Sequence, residues 1–204
     1  YGGKRVAGEI SRRENLAWGW PARLTHDLGS SIIENATHDR PPLDRVATHL
    51  GFVRVDVRPT SGSVRARLLP VNALVFGLIL AQRDSELALG RSLLFGAPLF
   101  SGDGRESVPF GGASNGRAIL GSVFVRRDDD EFYDTAAHEL VHVMQHHELT
   151  RAETSLRAPL DPSPAVESGL ERWVYLDSPL LMGLAYYAVE GGDIDAPCKY
   201  DNWL

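Results

Sequence analysis

Two histidines that frame a glutamate constrain this chain more than any other feature. His138, Glu139 and His142 lie within 133–149, a stretch whose apolar spacing predicts a helix. Because residues four apart lie on one face of a helix, both imidazoles can point a nitrogen at one ion. Zinc accepts such ligands and lowers the pKa of a bound water, and Glu139 is placed to take the proton. The spacing therefore predicts a Zn²⁺ site with Glu139 as general base.

The composition excludes several other classes. The 204 residues suit one domain, or one domain with a small appendage, and 43% hydrophobic residues can form a sizeable core. A net charge of −6 argues against nucleic acid as the main partner. The single cysteine, Cys198, excludes a disulfide framework and a cysteine-rich metal site.

The two longest apolar segments do not have the pattern of membrane spans. The run 68–81 is shorter than the roughly 20 residues that a span needs, and 173–189 is interrupted by Asp177 and Pro179. We expect both to be core or interfacial segments. Because the chain begins at Tyr1 rather than Met, an upstream signal or anchor is conceivable, and an extracytoplasmic or membrane-peripheral location stays open.

Local patterns predict a mixture of helices and strands. Helices are expected at 24–35, 43–50, 71–82 (buried), 133–149 (capped by Asp134 or Thr135) and 165–173; strands at 52–58, 64–69 (paired with the preceding one), 87–100 (with turns) and 118–125; and a Gly-rich loop at 102–116. We divide the chain into a region of unknown role, 1–80, and a metal-binding region, 81–204, which could also form one continuous domain.

The residues around the histidines resemble a known family. Thr-Ala-Ala-His-Glu-Leu-Val-His-Val-Met-Gln at 135–145 is similar to the active-site helix of the zincin-like metallopeptidases, especially small bacterial members. The resemblance implies an α+β fold, with a small mixed or antiparallel sheet, an edge strand leading into this helix and a second ligand-bearing helix after it. It also implies that the edge strand, here 118–125, pairs with an extended peptide substrate.

A catalytic zinc site needs a third protein ligand. The metzincin branch would require glycine at position 145 and histidine at 148, where this chain has Gln145 and Glu148. That branch is therefore excluded. His146 and His147 follow His142 too closely on the same helix to be favoured as ligands.

The gluzincin branch supplies a better third ligand. Glu167 and Glu171 are four residues apart on a predicted helix. By resemblance Glu167 binds zinc and Glu171 accepts a hydrogen bond from a ligand histidine, although the two could exchange roles or lie on a solvated face. Asp177, or a ligand beyond Leu204, is a further alternative. Candidates for stabilising an oxyanion are Tyr175, Tyr186, Tyr187 and Arg172.

These expectations lead to three hypotheses about function. The first is a zinc metallopeptidase that hydrolyses peptide bonds of a peptide or protein substrate through a metal-activated water. The second is a catalytically inactive zincin-like scaffold or interaction subunit of a larger assembly, including one at a membrane surface. The third is a metal-binding toxin or effector domain that requires a separate targeting partner.

Overall fold

The computed structural model describes residues 2–103, 115–157 and 173–174, with 149–157 as backbone only. The helices are α1 (Gly2–Arg12), α2 (Gly19–Thr37), α3 (Pro70–Leu80), α4 (Leu89–Phe95) and α5 (Phe132–Arg157); the strands are β1 (Val46–Leu50), β2 (Val53–Arg58), β3 (Ser63–Leu68), β4 (Glu86–Leu87), β5 (Leu99–Gly102), β6 (Gly116–Ile119) and β7 (Ser122–Arg126). This mixture of helices with antiparallel and mixed sheets is compatible with the expected α+β class.

The strands form two separate sheets. The first is an antiparallel meander in the order β1-β2-β3. The second has the order β4-β5-β7-β6, in which β5 and β7 run parallel and the other neighbours run antiparallel. The strand β6 therefore forms one edge of the second sheet, and the chain passes from this edge through β7 into α5.

The stretch 118–125 is a hairpin, so the prediction of one continuous strand there is wrong. The chain reverses at Leu120 and Gly121, where Leu120 has φ +55°. Gly121 lies so close to the turn between β1 and β2 that a Cβ on it would be 2.4 Å from the carbonyl oxygen of Gly51. The stretch is largely apolar in sequence, apart from Gly121 and Ser122, because both arms of the hairpin contain apolar residues.

The main core lies around α5. Its inner face contributes Ala136, Ala137, Leu140, Val143 and Met144, all buried. These residues pack with apolar side chains of α1 and α2 on one side and of β5 and β7 on the other. Residues from the first 80 positions and residues of α5 thus share one hydrophobic core.

The helix predicted at 24–35 is confirmed as part of α2, but its burial is the reverse of a simple amphipathic helix. Leu24, Leu28, Ile32 and Ile33 are exposed, and Ile33 retains 67% of its accessible surface. The buried side is largely polar and comprises Arg23, His26, Asp27, Ser31, Glu34 and Asn35. The inner face of α2 therefore meets polar partners on the first sheet.

Three other local predictions required correction. The short helix expected at 43–50 is wrong, because Val46–Leu50 forms β1 and pairs with β2 along its whole length. The segment 71–82 is helical as predicted, but Leu74, Leu78 and Leu80 of α3 are exposed rather than buried. The segment 87–100 is a strand only near its ends, because α4 occupies its middle.

The strands predicted at 52–58 and 64–69, and their pairing, are confirmed by β2 and β3. The helix predicted at 133–149 is confirmed by α5, which begins at Phe132, so neither Asp134 nor Thr135 caps it. Instead the Asp129 carboxylate accepts hydrogen bonds from the Glu131 amide and the Thr135 hydroxyl.

Most of the loop predicted at 102–116 lies outside the described residues. So does the helix predicted at 165–173, apart from Trp173. Trp173 lies in a turn, and its carbonyl oxygen accepts a hydrogen bond from the Leu68 amide at 2.8 Å. In the part of the chain that the structure describes, no helix combines the length and hydrophobicity needed to cross a membrane.

A buried ionic cluster joins α2 to the first sheet. The fully buried guanidinium of Arg54 contacts Glu34 at 3.1 Å and Asp56 at 3.1 Å. Arg45 pairs with Glu34, and Arg67 donates to Asp56 at 2.8 Å. Burial by itself raises the pKa of Asp56, but the charges of Arg54 and Arg67 outweigh it, so that this pKa lies below its ordinary value of 3.8.

We expect Arg54→Met to destabilise the protein by about 3–5 kcal/mol, because Glu34 and Asp56 would remain buried with less compensating charge. The matched control is Arg58→Met, which removes an exposed arginine from the same strand and should change stability by less than about 0.5 kcal/mol. Urea unfolding followed by circular dichroism measures both. Equal effects of the two substitutions would contradict the role assigned to the cluster.

The same cluster predicts a loss of stability in acid. Because the folded-state pKa of Asp56 is depressed, its contribution is present above the unfolded-state pKa and is lost as the pH falls through the folded-state pKa. The free energy of unfolding should therefore decrease as the pH drops below about 4. Asp56→Asn should make the free energy of unfolding less dependent on pH in this range. Asp84→Asn, at an exposed position, should leave the pH dependence unchanged. A pH dependence unchanged by Asp56→Asn would refute the assignment.

Candidate metal centre

The helix α5 brings His138 and His142 together as the sequence predicted. Their Nε2 atoms are 2.9 Å apart, and the rings are nearly perpendicular with centroids 4.6 Å apart. Two nitrogens bound to one tetrahedral zinc would be about 3.3 Å apart. His138 is exposed and His142 is half-buried. A small outward adjustment of these side chains would therefore bring both nitrogens to ligand positions.

The ring of His142 is oriented by a neighbour on the same helix. Its Nδ1 atom lies 2.8 Å from Oε1 of Gln145. An amide oxygen can only accept a hydrogen bond, so Nδ1 carries the proton and Nε2 presents its lone pair. Such a contact fixes the tautomer that metal binding requires. The sequence pattern used Gln145 only to exclude the metzincin branch, and it gave no indication that Gln145 contacts His142.

Glu139 occupies a different environment from the two histidines. It is only 8% exposed, and its carboxylate accepts a hydrogen bond from the backbone amide of Ala118 in β6. Burial raises the pKa of Glu139, while the charge that His142 carries when protonated, the Ala118 amide and the charge of Arg117 oppose the increase without cancelling it. A carboxylate with a raised pKa is a better proton acceptor, as a general base requires.

The edge strand β6 packs unusually closely on α5 beside this carboxylate. A Cβ on Gly116 would lie 2.3 Å from Cγ2 of Thr135 and 3.1 Å from Cγ of Glu139. Thr135 cannot readily turn away, because its hydroxyl donates to Asp129 at 2.6 Å. The glycine thus allows the sheet edge to lie directly against Glu139.

The other predicted site residues cannot be placed in this geometry. Glu167, Glu171 and Asp177 lie outside the described residues, and so do the proposed oxyanion donors Tyr175, Tyr186, Tyr187 and Arg172. His147 points elsewhere, because its ring stacks on His49 at 4.2 Å. Among the described residues, no third ligand-type side chain forms a compact group with His138 and His142.

The structure reveals a second cluster that the sequence did not indicate. Asp27, His49 and His147 are all buried, and one potential ligand atom from each lies within 4.8 Å of the others. These residues come from α2, β1 and α5, far apart in the sequence. No spacing rule could have grouped them, and the nearest signal was the polar pattern opposite the apolar stripe of α2.

The chain was compared with protein-family models, curated proteins and solved structures, and none of the three comparisons found a match.

We expect Gly116→Ala to destabilise the protein by about 1–3 kcal/mol, because the new methyl group would overlap Thr135 and press on Glu139. The matched control is Gly77→Ala in α3, where a Cβ meets no atom within 4 Å. A helical glycine replaced by alanine in open space should leave stability unchanged or increase it by up to about 1 kcal/mol. Thermal unfolding measures both, and a neutral Gly116→Ala would contradict the close packing.

Proposed function

We propose that this protein is a zinc-dependent metallopeptidase with a zincin-like fold. The observation that carries the proposal is the convergence of the His138 and His142 Nε2 atoms, 2.9 Å apart, beside the buried carboxylate of Glu139. Two imidazoles on one helix face form a donor set that suits zinc. The hydrogen bond that His142 donates to Gln145 and the close edge strand add support, because both hold these groups in place.

Each residue has a distinct role in the proposed reaction. His138 and His142 would hold the ion, with Glu167 as third ligand and Glu171 as its alternative. When bound, zinc would supply Lewis-acid chemistry, making water more acidic and a carbonyl more electrophilic. Glu139 accepts the proton of the attacking water at a carboxylate oxygen and then delivers it to the nitrogen of the departing amine. Ala118 orients that carboxylate through its amide.

The position of β6 supports a peptide as the proposed substrate. This strand is the edge of the second sheet and lies against Glu139. An extended peptide can add to an exposed sheet edge through main-chain hydrogen bonds. A peptide or unfolded protein segment aligned on β6 would place a scissile bond near the carboxylate, which favours a peptidase over a hydrolase of small esters.

The decisive test of this proposal is Glu139→Gln. The amide cannot accept the water's proton, so we expect peptide hydrolysis to fall by at least about 10²-fold while the zinc content is retained. The control is Glu131→Gln, at an exposed position just before α5, which should keep full activity. Cleavage of a denatured protein substrate and metal analysis by mass spectrometry give the two readouts. Unchanged hydrolysis by Glu139→Gln would refute the proposal.

The third ligand can be identified by parallel substitutions. His138→Ala should lose the zinc of this site outright, which provides the reference for complete loss. If Glu167 is the ligand, Glu167→Gln should lose zinc and Glu171→Gln should weaken its affinity by about 10–100-fold. The reverse pattern would assign the ligand to Glu171. Retention of zinc by both variants would exclude this pair.

The exposed apolar surface favours a second candidate, a zincin-like interaction subunit without activity. Leu74, Leu78 and Leu80 of α3 are more than half exposed, as are Leu89, Leu93 and Leu94 of α4. Large exposed apolar groups are typical of surfaces that bind a protein or a membrane. Freshly purified protein that binds no zinc at His138 and His142 and cleaves no peptide would favour this candidate.

A further inference from the structure

We propose that Asp27, His49 and His147 form a second metal site, separate from His138 and His142, that binds a divalent first-row transition ion such as Zn²⁺. One ligand atom from each of the three side chains lies within 4.8 Å of the others. All three residues are almost completely buried, with exposures of 2%, 0% and 2%. Three ligand-type residues from three different elements thus meet in the interior.

The contacts around Asp27 hold its carboxylate in the cluster. The Thr48 hydroxyl donates to Oδ2 at 2.6 Å, and Nδ1 of His26 lies 3.4 Å from Oδ1. His49 and His147 are stacked, with an angle of 22° between their planes. Binding an ion would draw the ligand atoms to separations of about 3.3 Å and turn the two rings out of this stack toward a common point.

The donor set determines the class of ion. Two imidazoles and one carboxylate suit zinc, iron and their first-row neighbours, whereas calcium and magnesium require mainly oxygen ligands. Burying a carboxylate beside two imidazoles is costly when compared with apolar residues of the same volume. A divalent cation would offset that cost, because it neutralises the carboxylate and coordinates the imidazole nitrogens.

The cluster lies on the opposite side of α5 from the proposed catalytic centre. His147 follows His142 by five residues, which corresponds to about 7.5 Å along the helix axis and about 140° around it. One ion cannot therefore serve both sites. Because Asp27 belongs to α2 and His49 to β1, an ion at the second site would connect both elements to α5. We assign it a structural role, since complete burial leaves little access for a substrate.

The first test isolates this site in the full chain carrying His138→Ala and His142→Ala. After exposure to Zn²⁺ and removal of excess metal, this variant should retain roughly one equivalent of zinc, and zinc should raise its melting temperature. Adding His147→Gln or Asp27→Asn should abolish both effects. The matched control is His146→Gln, the neighbouring position on α5, which should preserve them. Failure of the double variant to bind zinc would overturn the proposal.

The second test does not depend on how the variants fold. Crystals of the unaltered protein grown with Zn²⁺ should give an anomalous difference peak between Asp27, His49 and His147 at the zinc absorption edge. This peak should appear whether or not one is also seen at His138 and His142, so that the two sites are judged separately. The absence of a peak at the buried cluster under saturating zinc would refute the second site.

Discussion

Burial of one face of α5 is the constraint on which the rest of the structure depends. Ala136, Leu140, Val143 and Met144 are excluded from solvent because α1 and α2 cover the helix on one side and the second sheet covers it on the other. The small residues Ala136 and Ala137 allow this close approach. Once the apolar face is fixed, the helical period turns His138 and His142 outward and places Glu139 against the edge of the sheet. The candidate catalytic centre is therefore a consequence of core packing.

Buried polar side chains determine how α2 packs on the first sheet. The inner face of α2 meets the first sheet through the Glu34, Arg54 and Asp56 ion pairs and through Asp27, which bonds to Thr48. Desolvating charges is expensive, so such contacts specify one arrangement more than they add stability. This requirement explains why the apolar stripe of α2 faces outward: the inner positions are committed to polar partners, and the register of α2 on the sheet is fixed by them.

The two clusters on α5 give this helix distinct proposed roles on its two sides. The side with His138, Glu139 and His142 lies next to the edge strand, where a peptide could align. The side with His147 is buried against β1 and α2. A structural ion on the buried side would fix the helix that carries the proposed zinc ligands on the other. Under this view, residues 1–80 hold the active-site helix in place.

The sequence by itself determined the features that arise from local spacing. The helix at 133–149, the paired strands at 52–58 and 64–69, and the shared face of His138 and His142 all follow from the periods of helix and strand. Tertiary structure decided what spacing cannot encode. It made 43–50 a strand because β2 offers a pairing edge, reversed the chain at Leu120 and Gly121 close to Gly51, and turned the leucines of α2 outward. It also assembled Asp27, His49 and His147, because only the packing of three distant elements brings those side chains together.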